Sequence, residues 1–118
     1  MGENVILDKS FKFSVRIVKL YKYLTSKKNE FVMSKQLLRC GTSIGANTHE
    51  AVHGQSEKDF LAKIYIAFKE ANETDYWLKL FYESDYLTKI QFESIIKDCN
   101  ELKKILSSII MTMKSKMK

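Results

Sequence analysis

Proline is absent from this 118-residue chain, and glycine occurs only four times. With so few residues that break helices or take up tight turns, the composition argues against a many-stranded β fold and for long uninterrupted helices. Cysteine is almost as scarce, and Cys40 and Cys99 have neither the density of a disulfide scaffold nor the spacing of zinc ligands. Both fall within helical patterns, so buried reduced thiols are expected, with a contact between the two left open. Long hydrophobic runs are lacking as well. Lysines or acids interrupt every apolar segment, so nothing approaches the ~20 consecutive apolar residues that span a bilayer. The start, MGENVILDKS, is no basic-then-apolar leader, and a cytoplasmic chain with no membrane partner is expected.

What remains is a composition 45% hydrophobic and 29% charged, which suits a globular chain of one domain. The net charge is +6, supplied almost entirely by lysine, so anionic partners come into consideration.

Apolar spacing predicts four helices, at roughly 10–25, 34–54, 56–84 and 88–113, after an extended lead-in over residues 1–9. Asp8 or Ser10 is the expected cap of the first helix, whose wide buried face combines Phe13, Ile17, Leu20 and Leu24 with Phe11, Val15 and Val18. TSKKNE reads as a loop, Ser34 as the next N-cap, and Gly54 as the natural stop of the second helix. Gly41 and Gly45 each cost about 1 kcal/mol relative to alanine inside a helix, which a flat surface for close helix contact would offset. A loop there would instead cut the helix into two marginal pieces. Ser56 caps the third helix, whose seam is Phe60, Ile64, Ala67, Ala71, Thr74, Leu78 and Phe81. Thr88 and Gln91 form a capping-box signature for the fourth, with Phe92, Ile95, Cys99, Leu102, Leu106, Ile109 and Met113 along its seam and KSKMK as a frayed basic tail. Short connections force antiparallel neighbours, so the expected fold is an all-α, up-down-up-down four-helix bundle.

The run LLRCGTSIGANTHEA from Leu37 to Ala51, followed by SEKDFLAKIYIAFKEANETDYWLKLF from Ser56 to Phe81, resembles the four-helix-bundle family of 23S rRNA intervening-sequence proteins. The matching pattern is Arg39 ahead of Ser43-Ile44, then Asn47 and Glu50, then Ala67-Phe68-Lys69-Glu70-Ala71 leading to Tyr76-Trp77-Leu78. The spacing of the outer helices agrees, so the likeness covers nearly the whole chain. It extends to accessory proteins of diversity-generating retroelements and implies a ring-like homo-oligomer, typically a homopentamer, with an RNA-linked role. It implies no reaction.

Arg39, Ser43, Asn47 and Glu50 lie on one stripe of the second helix. If that helix and the third form a hairpin turning near Gln55, Arg39 faces Glu70 and Glu73, and Glu50 reaches Lys63. A partly buried Arg39 to Glu70 ion pair within a structural polar network is the main expectation; a ligand site is the other reading. Glu50 and His53 have the Glu-x-x-His spacing of di-iron bundles, but no second copy exists, so no metal or cofactor is expected. His49 and His53 also suit the end of a helix dipole. Ser43 has no histidine one turn away and neither cysteine has an evident acid-base partner, so no catalytic residue is assigned.

Tyr76, Trp77, Phe81, Tyr82 and Tyr86 cluster near the end of the third helix. Bases stack on such rings, but helical aromatics more often fill cores or subunit interfaces, and the first four are interface candidates. Lys9, Lys12, Arg16, Lys19 and Lys22 on the first helix, with Lys104 and Lys114 on the fourth, are nucleic-acid-binding candidates, because adjacent outer helices can merge these charges into one phosphate-binding patch. A merely solvated lysine surface is the bland alternative. The leading expectation is a non-enzymatic oligomeric bundle that binds RNA or a nucleic-acid-associated partner. Its competitors are a protein-binding assembly scaffold, and a bundle enzyme using Glu50, Glu70 and Glu73.

Overall fold

The structure, a computed structural model, describes residues 2–117, with side chains from Val5 onward. Met1 and Lys118 of the basic tail lie outside the described residues. Four helices follow one another: α1 Gly2–Ser26, α2 Met33–Val52, α3 Glu57–Glu83 and α4 Lys89–Lys116. α1 packs on α2, α2 on α3, α3 on α4, and α4 closes back on α1, so α1 and α3 stand on one diagonal and α2 and α4 on the other. The result is the expected all-α, up-down-up-down bundle, a rod of 48 × 21 × 20 Å.

The start of α1 departs from the expected extended lead-in. Ile6 is fully buried and extends the stripe of Phe13, Ile17 and Leu24 one step toward the N-terminus. Ser10 sits in the same stripe and donates its hydroxyl to the Leu7 carbonyl, while Asp8 pairs with Lys12, so neither caps the helix. The wide buried face also needs correction. Phe11, Val15 and Val18 are 69%, 40% and 37% exposed, because α1 touches only α2 and α4 and those neighbours cover one stripe.

Glu30 starts α2 in place of Ser34. Its carboxylate accepts hydrogen bonds from the backbone N–H groups of Val32, Met33 and Ser34 at 3.1, 3.0 and 2.7 Å. Those are orphan donors of a helix N-terminus, and a buried anion there satisfies three of them at once. Ser34 is itself buried and donates to the Glu30 carbonyl. Burial alone would raise the Glu30 carboxyl, but the bonds from Met33, Ser34 and Val32 outweigh it and hold the group below its ordinary value.

Gly41 and Gly45 lie within α2 and provide the flat contact surface. A Cβ at Gly41 would fall 2.8 Å from Ile17, and one at Gly45 would fall 3.2 Å from the Ser10 carbonyl oxygen. Bare backbone at both positions lets α1 approach this closely. Ser56 caps α3 by accepting from the Asp59 N–H, and Thr88 with Gln91 completes a capping box on α4. Asp85, in the left-handed region at φ 67°, ends α3, while the Tyr86 N–H reaches back to the Phe81 carbonyl. Along α4 the buried set runs Ile95, Cys99, Leu102, Leu106 and Ile110, whereas Ile109 and Met113 lie at the edge of the core.

Candidate nucleic-acid interface

The polar stripe of α2 meets α3 as the hairpin geometry requires, with one change of partner. Arg39 makes its strong contact with Glu73, whose two oxygens lie 2.9 and 2.7 Å from Nη2, and only a longer 3.3 Å contact with Glu70. The Arg39 side chain is half-exposed, so the pair is a surface clamp rather than the partly buried Arg39 to Glu70 bridge expected. Glu73 also accepts from the Trp77 indole at 3.0 Å. That bond, with the Arg39 guanidinium, keeps the Glu73 carboxyl below its ordinary value against the effect of partial burial. Ser43 donates to Glu70 at 3.3 Å, and Asn47 donates to the Ser43 hydroxyl and carbonyl, both at 2.9 Å. Glu50 binds Lys63 at 2.8 Å. Glu50, Glu70 and Glu73 are thus each engaged by a cation of the same bundle.

Both thiols are buried and free. Burial pushes Cys40 up to about 11 and Cys99 up to about 12, so each stays protonated at neutral pH. Asp75, which the sequence did not mark, sits between α3 and α4 with Oδ2 near Lys79 and Lys103. Its Oδ1 is buried with no hydrogen-bond partner among the described residues.

The basic residues divide into two groups. Where α1 faces α4, acids on α4 intervene: Lys9 pairs with Glu101 at 3.1 Å, and Arg16 with Asp98 at 2.6 Å and with Ser94. Lys12 is held by Asp8. The expected merging of α1 and α4 charge into one open patch therefore fails along this seam. Lys104 is exposed on the outer side of α4, and Lys114 lies 5.9 Å from the Tyr65 ring centre.

The second group gathers at one end of the rod. The α1–α2 and α3–α4 connections lie at the same end, and with them come Lys19, Lys22, Lys27, Lys28, Lys35 and Lys89. All six are exposed, and none has a carboxylate within 4.0 Å among the described residues. Nearby Glu30 points its charge inward onto α2, leaving Glu83, Asp85 and Glu93 as the exposed acids of this end. Lys28 lies 6.0 Å from the Tyr23 ring centre. A groove of about 490 Å³ opens beside it between α1 and α4, with Lys19, Tyr23, Leu87 and Ile90 in its wall. Lys35 and Lys89 escaped the sequence reading, although both follow loops that the up-down topology brings to one end.

The aromatic candidates separate too. Phe81 is fully enclosed in its own bundle, packed edge-to-face on Tyr86 at 5.7 Å, and has no surface left for another subunit. Tyr82 stacks on Phe92 at 4.5 Å and is partly covered, as is Trp77, while Tyr76 is 59% exposed.

No helix among the described residues is long and apolar enough to cross a membrane. Among curated proteins, none matches the chain significantly. The crystal structure of a protein of unknown function from the S23 ribosomal protein family of Bacteroides thetaiotaomicron is similar, with a TM-score of 0.92 and 57% identity over 94% of this chain and 99% of that one. The family model described as 23S rRNA-intervening sequence protein matches residues 2–108, spanning all but the last turns of α4. This chain therefore belongs to the 23S rRNA-intervening sequence protein family.

Proposed function

We propose that the protein is a non-enzymatic, homo-oligomeric bundle that binds RNA through the cationic end of the rod. The observation that carries this reading is the set of six exposed lysines, without carboxylate partners among the described residues, where α1, α2 and α4 meet. Ammonium groups are mobile point charges, so they suit phosphates of any sequence and discriminate poorly between bases. Tyr23 and Ile90 in the adjoining groove add surface on which an unpaired base can rest. A non-enzymatic role is supported by the Glu50, Glu70 and Glu73 carboxylates being spent on Lys63 and Arg39, and by two thiols held protonated. A homopentamer and a cytoplasmic location are the forms the family resemblance favours.

Salt titration of binding to an unrelated single-stranded RNA tests the reading. Six phosphate contacts give log K against log salt a slope of about −4, at about 0.7 per contact. Lys22→Glu with Lys28→Glu should flatten that slope, whereas Lys9→Glu, which alters an existing ion pair, should change it little. Absence of binding near 50 mM salt, a concentration at which phosphate contacts are strong, would overturn the proposal. The second reading, an assembly scaffold for protein partners, is favoured by Ile90 and Val32, 81% and 76% exposed at the same end. It predicts oligomers without RNA affinity.

A further inference from the structure

α1 and α4 make the sparsest of the four contacts between neighbouring helices, and the groove of about 490 Å³ opens between them near the lysine end of the rod. That volume falls within the range of about 300–1,000 Å³ found for small-molecule sites. Tyr23 on α1 and the exposed Ile90 on α4 form apolar flanks, over a base in which Leu87 and Ile95 are nearly buried. Such flanks favour a flat ring with two apolar faces.

The polar groups of the wall are more selective, because the bundle has already used their acceptors. Gln91 Oε1 accepts from the Thr88 N–H at 2.9 Å within the capping box, which leaves Nε2, a double donor, as the free end of the amide. Ser94 Oγ accepts from Arg16 Nη2 at 2.9 Å, and the Ser94 carbonyl accepts from Arg16 Nη1 at 3.2 Å. Among the described residues nothing accepts from Gln91 Nε2 or from the Ser94 hydroxyl. These two side chains stand three residues apart on α4, so their donors share one side of the groove. Lys19 adds an ammonium from α1. No carboxylate lines the groove; Glu93, next to Ser94, belongs to a different hollow with Ile96 and Lys97. Lys22 precedes Tyr23 and Lys89 precedes Ile90, so an exposed ammonium accompanies each flank and complements the phosphates that a seated base brings with it.

A donor-only edge selects among bases. Guanine alone offers two adjacent acceptors, O6 and N7, with no donor beside them, whereas adenine and cytosine set an amine next to an acceptor and uracil places its N3–H between two carbonyls. In an RNA duplex the O6 and N7 edge is hidden in a deep, narrow major groove, so only an unpaired guanine can present it. We infer that the groove between α1 and α4 seats one unpaired guanine of the bound RNA, with Gln91 and Ser94 donating to O6 and N7. This rests on the RNA reading and names the base that its groove prefers. The lysines hold phosphates of any sequence, and the groove adds a preference at one position.

Fluorescence anisotropy with the full chain and labelled eight-nucleotide uridine RNAs carrying one altered central base tests the inference. Guanine at that position should bind about 10-fold tighter than adenine, toward the low end of what a bidentate base contact gives because the groove is open to water. Inosine, which keeps O6 and N7 but lacks the 2-amine, should match guanine, and 7-deazaguanine, which lacks N7, should fall toward adenine. Gln91→Leu, with circular dichroism as a check on folding, should bring guanine and adenine together while leaving the salt slope unchanged. Equal binding of guanine and adenine by the parent chain would overturn the inference and leave the RNA reading standing. So would 7-deazaguanine binding as tightly as guanine, or a guanine preference that survives Gln91→Leu. Failure of every RNA to bind near 50 mM salt would overturn the RNA reading and the inference with it.

Discussion

Gly41→Ala puts a number on how closely α1 and α2 approach. The added Cβ would lie 2.8 Å from Ile17 Cγ1 and 2.9 Å from both Cδ1 and Cγ2, where ordinary contact begins at 3.4 Å. Ile17 is fully buried, so it cannot swing into solvent; it must leave its rotamer or the helices must part. Alanine gains about 1 kcal/mol of helix propensity. Overpacking costs about 1–3 kcal/mol, and three atoms compressed together place this case in the upper part of that range. The expected net loss is about 1–2 kcal/mol, or a fall in Tm of about 3–8 °C for a chain of this size. In an Ile17→Ala background the three offending atoms are gone. There Gly41→Ala should stabilise by about 1 kcal/mol, although Ile17→Ala alone costs about 2–5 kcal/mol through its cavity. The cycle thus has a coupling of about 2–3 kcal/mol, measurable by urea unfolding followed by circular dichroism. A Gly41→Ala protein as stable as the parent, or effects that simply add, would refute the close-packing account.

Glu30→Ala strands three backbone donors and should cost about 2–3 kcal/mol by the same unfolding measurement. Because the folded Glu30 carboxyl lies below its ordinary value of 4.5, its contribution is complete above that pH and declines as acid protonates the folded form. A parent chain whose stability rises on acidification from pH 5, or a Glu30→Ala variant with an unchanged acid profile, contradicts this. Glu73→Ala should destabilise more than Glu70→Ala, by about 1 kcal/mol, since Glu73 holds both Arg39 and Trp77; the reverse order in thermal melts would return the main bridge to Glu70. Cys40 and Cys99, pushed up to about 11 and about 12, should react with a thiol reagent at pH 8 only as fast as the protein unfolds. Rapid modification of native protein would show that one of them is open to solvent.

Of the site, the sequence made visible what depends on spacing along a single helix and on one hairpin. The α2 stripe and the α3 residues it faces, Lys63 opposite Glu50 and the Glu70 and Glu73 carboxylates opposite Arg39, were legible because a short loop near Gln55 leaves little freedom in how α2 faces α3. Glu73 rather than Glu70 as the main partner was not legible, because the choice depends on a rotation of less than one turn and on the Trp77 indole. Glu30 was hidden among the loop residues, since a cap drawn from three residues before α2 follows none of the usual N-cap positions.

The sequence alone determined four amphipathic helices, their caps at Ser56 and Thr88, and their alternating direction, because helical period, polar punctuation and short connections act locally. Tertiary structure decided what each charge and each ring would meet. Asp98 and Glu101 neutralise Arg16 and Lys9, Phe81 turns inward, and Phe11 turns outward, according to which neighbour each helix has and at what angle. A helix's own period says which residues share a face, but only its neighbours decide whether that face is covered.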